Sequence, residues 1–279
     1  MLTILFATTT SALFGLSDFL GGFASRRDSA FAVTANAHLL GAALLAVAVL
    51  VFPASFGSSD LLWGAVAGIS GGIGVTALYG ALAVGRMGIV APITAALSGG
   101  LPALYDFARG THVRPLSVAG LLLALVAIVI VSATGDEQDR RDMPPRAVAL
   151  AVLAGVGFTC SFVAFSLTAK TSGLTPILAA RVTSAALLVA LTYARSRRVV
   201  VAREARRATY SAGALDALAN VTMLSAIRIG PLAVASVLGS LYPVVTILLA
   251  RAVLGERLKW VQRGGVALAM VAVVLTSLR

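Results

Sequence analysis

The sequence predicts an all-α membrane protein: ten transmembrane helices arranged as two inverted five-helix repeats around a central cavity. Three observations lead there. The 279-residue chain is 59% hydrophobic and only 12% charged, against about 45–50% and about 25% in soluble domains. It therefore carries more apolar surface than a globule of this size can hide, and lipid must cover part of it. Apolar runs long enough to cross a hydrocarbon core, about 17–25 helical residues, recur along the whole chain. Finally, the chain repeats itself. GPLAVASVLGSLYPVVTILLARAVLGERLKWVQRGG, residues 230–265, is answered by GIVAPITAALSGGLPALYDFARGTHVRPLSVAG, residues 88–120, with Pro102 against Pro243, Gly110 against Gly255 and Gly120 against Gly265. An internal repeat constrains the architecture before any single residue does.

The runs place spans at about 3–24, 30–52, 61–84, 88–108, 115–134, 147–169, 174–194, 209–227, 231–252 and 261–278. The first, MLTILFATTTSALFG onward, lacks the basic start of a cleaved signal peptide and is read as a retained span. The second opens on HLLGAALLAVAV at His38, and the third is the glycine-rich GISGGIGVTALYGALA. The fourth contains AALSGG and two prolines, Pro92 and Pro102, and the fifth closes the first repeat, residues 1–134. Residues 135–146, GDEQDRRDMPPR, hold four acids, three arginines and a Pro-Pro pair, so they cannot enter lipid and form a linker.

The second repeat occupies residues 147–279. Its first helix carries GVGFTCSFVAF, answering GLSDFLGGF at Gly15, and its second opens on RVTSAALLVALT at Arg181, answering His38. The eighth span holds Asp216 and Asn220, and the ninth reads as a small-residue helix broken at Pro243. A charged Gly255-Glu256-Arg257 turn leads to the last span, anchored at the interface by Trp260. Because five is odd, the second copy enters the membrane upside down, an arrangement common in secondary transporters. The abundant glycine and alanine allow close helix contacts where lipid supplies no hydrophobic drive for association.

A net charge of +11 and a pI near 11.1 would suggest a nucleic-acid partner in a soluble chain. Here the basic residues cluster in short connections, where they set orientation. Connections after odd-numbered spans hold fifteen Lys and Arg; those after even-numbered spans, with the C-terminus, hold five. The bias places the odd connections in the cytoplasm and both termini outside a cell membrane. The single cysteine, Cys160, excludes an internal disulfide and a cysteine metal cluster, and no cofactor or metal is expected.

Ionisable groups within spans are costly, about 2.5–3.5 kcal/mol each on insertion scales, and usually face the protein interior or a water-filled cavity. Asp18, His38, Asp106, Arg181 and Asp216 are such groups, and Asn220 shares a helix face with Asp216. Two readings stay open for Asp18 and Asp216. They face the cavity and take a substrate ammonium or a driving proton, or they form structural ion pairs, Asp216 with Arg181 or Asp18 with His38. Tyr79 and Tyr242 suit a cavity wall or packing. Arg181 and His38 occupy equivalent repeat positions and are read as gating or structural. Asp106 is expected in a solvated pair with Arg109. Pro92, Pro102 and Pro243 each remove a backbone hydrogen bond and make spans four and nine candidate moving walls. Glu256 complements the positive end of the last helix and is read as part of a structural turn.

The runs LYGALAVGRMGIVAPITAALSGGLPAL, residues 78–104, and SLYPVVTILLARAVLGERLKWVQRGG, residues 240–265, resemble the two repeats of an EamA-type transporter of the drug/metabolite transporter superfamily. The likeness covers nearly the whole chain. Its second copy is the more specific, and in the first the Gly-Glu-Arg turn is replaced by Gly110, Thr111 and His112. The resemblance implies a ten-helix secondary transporter that moves a small organic solute by alternating access without ATP, often as an exporter of amino acids or other metabolites. It also implies cytoplasmic termini, against the arginine count. The rival classes are an accessory or structural membrane protein and a membrane enzyme. Neither HExxH, a cysteine pair, a Walker A motif nor a dinucleotide fingerprint occurs.

Overall fold

The structure, a computed structural model, describes residues 1–52, 55–85, 87–132, 144–254 and 260–277. Among these residues the secondary structure is helical, with no strand. The long helices are α1 (Leu2–Ser25), α2 (Ala30–Val51), α3 (Ser58–Val84), α4 (Met87–Ala108), α5 (Pro115–Ser132), α6 (Pro145–Ser166), α7 (Thr175–Ser196) and α8 (Arg203–Ile229). They are followed by α9 (Leu232–Gly239), α10 (Tyr242–Leu254) and α11 (Trp260–Ser277). Six of them, α1–α3 and α6–α8, are long and apolar enough to cross a membrane, and Pro115–Ile128 and Leu232–Thr246 are shorter apolar stretches. Leu50, Leu104, Val182, Leu218 and Met270 project outward and are exposed, a distribution of large apolar side chains that suits lipid rather than water.

Local chemistry explains the helix ends. The Ser29 hydroxyl caps α2 by accepting from the Ala32 N–H at 3.2 Å. Pro145 begins α6 at a position where a missing N–H costs nothing. Gly173 turns the chain between α6 and α7 with φ of 58°, a region open to glycine.

Two boundaries differ from the sequence expectation. Helix α8 starts at Arg203, ahead of the predicted residue 209, and has 27 residues. At about 1.5 Å per residue it outruns a ~30 Å hydrocarbon core, so its first turns can stand in the polar interface. There Arg203, Arg206 and Arg207 are exposed while Ala205 and Thr209 are buried. The ninth apolar run is broken at Ser240–Leu241, between α9 and α10, and not at Pro243. Pro243 is the second residue of α10, where the first turn needs no donor. Pro92 and Pro102 lie inside α4, which runs on without a break. The Gly255–Glu256–Arg257 turn and linker residues 135–143 lie outside the described residues.

The packing is reciprocal. Helix α3 lies along α6 and α7, and α8 lies along α1 and α2. Helix α4 packs on α6, and α9 and α10 pack on α1; α2 packs on α7, α4 on α9, and α5 on α11. Glycine makes the closest of these seams. A side chain at Gly68 (α3) would strike the backbone of Ala180 (α7), and one at Gly213 (α8) that of Ala37 (α2). Gly157 (α6) sits likewise on Ser70 and Gly74 (α3), and Gly15 (α1) on Tyr242 and Val245 (α10).

Polar ties link neighbouring elements at both ends of the bundle. At one end Asp60 accepts from the Ala169 N–H at 2.7 Å, and Arg228 donates to the Gly173 carbonyl at 2.6 Å and the Ser172 hydroxyl at 2.7 Å. At the other, Asp28 accepts from the Ser29 and Ala202 N–H groups at 2.7 and 2.6 Å, and Arg27 donates to the Glu204 carbonyl at 3.2 Å.

Candidate functional site

Midway between these ends, α2, α7 and α8 bring His38, Arg181 and Asp216 together. Nη2 of Arg181 forms a salt bridge with Oδ2 of Asp216, and its Nη1 donates to His38 Nε2 at 2.7 Å. Because guanidinium only donates, Nε2 is the acceptor and the His38 proton sits on Nδ1. That proton is donated to the Ser184 hydroxyl at 2.8 Å, which in turn donates to the Arg181 carbonyl at 3.2 Å. Asn220 Nδ2 donates to the Asp216 carbonyl at 2.8 Å and to its Oδ1 at 3.3 Å. The absence of a side chain at Gly41, one turn beyond His38, leaves room for the arginine stem: a Cβ there would lie 3.4 Å from Arg181 Cδ. Asp216 is thus neutralised by a buried arginine held from both sides.

Asp18 on α1 has a different setting. It is 6% exposed, and its carboxylate has no hydrogen bond or ion pair among the described residues. It borders a space of about 10 Å³ shared with Asp216, Ser98, Gly239, Ser240 and Tyr242, walled by Phe14, Phe158 and Phe162. A neighbouring space of about 30 Å³ extends to His38, Arg181 and Asn220. One water needs roughly 10–15 Å³, whereas ligand pockets run to about 300–1,000 Å³. Among the described residues, the two spaces beside Asp18 and Asp216 have the size of a few waters and not of an organic solute. Asp216 borders both spaces and takes the one buried arginine among their lining residues, so a cation or a proton at Asp18 would complete the charge balance.

Comparison with known proteins bears on what such a site serves. Residues 145–278 match the EamA-like transporter family. A crystal structure of a protein 21% identical to this chain superposes with a TM-score of 0.75, covering 99% of this chain and 96% of that one; at that identity it shows the fold alone. No curated protein matches. The family match covers 134 of the 279 residues, and the six long apolar helices fit a multi-pass membrane protein.

Within the helical bundle the predicted residues are placed as follows. Asp216, Asn220, His38 and Arg181 gather at one wall, and Asp18 and Tyr242 at the adjoining one. The Tyr242 hydroxyl donates to the Ala91 carbonyl at 3.1 Å, tying α10 to α4. Tyr79 is not among the residues lining either space. Its ring packs against Gly21 and its hydroxyl lies 3.3 Å from Ser17 Oγ, so it joins α3 to α1. Asp18 and His38 form no ion pair. Asp106 does not pair with Arg109: its Oδ2 accepts from the Ala233 N–H at 2.9 Å and its Oδ1 from the Thr111 hydroxyl at 2.8 Å, capping α9. Arg109 turns to the Tyr105 hydroxyl at 3.0 Å instead.

Sequence reasoning missed Ser98, Ser184 and Ser240. The Ser98 and Ser240 hydroxyls meet at 3.0 Å where α4 crosses the α9–α10 break. The signal was present: both serines lie just ahead of the repeat prolines Pro102 and Pro243, and Pro102 has no N–H for the Ser98 carbonyl. Ser184 is three residues after Arg181, on the same helix face.

Proposed function

We propose that this protein is a secondary transporter that moves a small cationic or zwitterionic metabolite, amino-acid-like in character, across the cell membrane by alternating access, in the export direction. In this reading the ammonium of the solute, or a coupling proton, binds Asp18. Asp216, Asn220 and Tyr242 complete the wall, and the His38–Arg181–Asp216 cluster braces it. The observation that carries the reading is the buried Asp18 carboxylate, without a hydrogen bond or ion pair among the described residues, in a space between helices of both halves. A buried charge is retained against its desolvation cost only with a partner, and here the partner is the cargo or the proton. The polar ties at both ends and the small central volume support an occluded form, which would have to open to admit solute.

The ten spans and the inverted relation of residues 1–134 and 147–279 belong to the same proposal. The reciprocal packing supports them, as does the meeting of His38 and Arg181, which occupy equivalent positions. Spans four and nine, with Pro92, Pro102 and the α9–α10 break, are the proposed moving walls. The arginine bias supports both termini outside: an export-dependent reporter fused after Arg279 should be active and a cytoplasm-dependent one silent, and the opposite result reverses the orientation.

Untargeted comparison of metabolites inside and outside cells lacking or overproducing the protein identifies the solute. Uptake of that solute into everted vesicles should then be lost in Asp18→Asn at unchanged membrane abundance. Full transport by Asp18→Asn would remove Asp18 from the mechanism. A metabolite profile insensitive to both deletion and overproduction would favour an accessory role.

A further inference from the structure

A second, larger concavity lies away from the central spaces. It is a groove of about 650 Å³ between the start of α2, the end of α3, the start of α6 and the end of α7. Ile73, Val84, Leu153 and Leu191 line it and are exposed, so it opens on the outer, lipid-facing surface. Its floor is made of small residues. A Cβ added at Gly80 would meet only Leu150 at 3.6 Å and Ala30 at 3.9 Å, so this stretch of the lining is open and a larger side chain at position 80 would occupy groove space.

The groove is headed by Arg146 and Arg195. Neither has a carboxylate partner among the described residues. Arg195 stacks over the Phe31 ring at 4.5 Å, while nearby Asp28 is occupied by the Ser29 and Ala202 N–H groups. Hydrocarbon walls topped by two guanidinium groups that have no carboxylate partner among the described residues are complementary to an amphiphile with an anionic head. Guanidinium forks match phosphate oxygens, and basic pockets between helices at the interface hold anionic head groups. The volume falls within the roughly 300–1,000 Å³ of pockets that enclose a ligand.

We propose that this groove binds one anionic phospholipid of the bilayer, its phosphate between Arg146 and Arg195 and an acyl chain lying over Gly80. The site joins helices of both halves of the chain, and it stands independently of the transport reading.

The test is native mass spectrometry of the full chain in detergent, titrated with phosphatidylglycerol, phosphatidylcholine and inorganic phosphate. Phosphatidylglycerol should bind with a stoichiometry of one, and neither of the others should bind or compete. The double variant Arg146→Gln/Arg195→Gln should bind it roughly 30-fold more weakly, about fivefold per arginine. Gly80→Leu should weaken it comparably with both arginines in place, by filling the groove. Arg203→Gln/Arg207→Gln, elsewhere on the same basic end, should stay within twofold of wild type. Equal binding of phosphatidylcholine would overturn the proposal. So would competition by phosphate, full binding by Gly80→Leu, or an equal loss in the Arg203/Arg207 variant, which would mean diffuse charge attraction.

Discussion

Asp18 and Asp216 are both buried, at 6% and 4% exposure, and border the same small space, yet their surroundings are opposite. Asp216 is salt-bridged to Arg181, which also holds His38; Asp18 has neither hydrogen bond nor ion pair among the described residues. Burial alone therefore does not assign a role to a membrane carboxylate; what already neutralises it does. Asp216 is a structural partner that also forms a wall, and in the proposed transport reading Asp18 is the carboxylate left for a cation or proton that comes and goes.

The sharpest way to break this contrast is Arg181→Ala. It leaves Asp216 buried without its cation and should cost ~3–5 kcal/mol, read as a collapse of membrane abundance and a lowered unfolding temperature in detergent. Arg181→Met combined with Asp216→Leu, which removes both charges, should recover most of that loss. Failure to recover would mean that the pair is more than mutual neutralisation. Asp18→Asn, by contrast, should leave abundance at the wild-type level while transport is lost; a matching stability defect would make the two carboxylates alike.

Gly41→Leu sharpens the comparison from the side. The new side chain would displace the arginine stem, and overpacking costs about 1–3 kcal/mol, measurable as a drop in unfolding temperature smaller than that of Arg181→Ala. The smallest effect is expected from Ser240→Ala. It removes one hydroxyl contact with Ser98, a net ~0.5–1.5 kcal/mol, and should alter transport rate more than stability because it lies on the Asp18 side.

Much of the fold was legible because spanning a membrane demands long apolar runs, and those mark themselves. The misplaced start of α8 shows the limit. Arg203 to Arg207 are helical but polar, and apolar length stops counting where the helix leaves hydrocarbon. The ninth run was read as broken at Pro243 because proline is the visible local signal. The actual break, at Ser240–Leu241, lies ahead of Pro243, which opens the following helix. Asp106 was paired with Arg109 by proximity in sequence, but its partner is the Ala233 N–H, brought there by the packing of α4 on α9. For Asp216 the chain offered both the pair and the cavity; only the approach of α7 and α8 puts Arg181 on it while leaving Asp18 alone.

The glycine seams described above have a mechanical consequence. Gly68 and Gly157 bring α3, α6 and α7 into near backbone contact, and Gly213 and Gly15 link α8 to α2 and α1 to α10. Such contacts have no side chains between them to rearrange, and close-packed interiors transmit strain rather than absorb it. The seams group the helices into two bodies, α3 with α6 and α7, and α8 with α1, α2 and α10, each drawn from both halves of the sequence, with α2 packed on α7 between them. What crosses from one body to the other is the Arg181–Asp216 salt bridge with the Arg181–His38 bond, and beside them exchangeable hydrogen bonds, His38 to Ser184 and Ser17 to Tyr79. Hydrogen bonds worth about 1 kcal/mol net apiece can be traded for bonds to water at little cost. Parting the bodies would wet the small spaces beside Asp18, and leave the glycine-packed interiors of both dry.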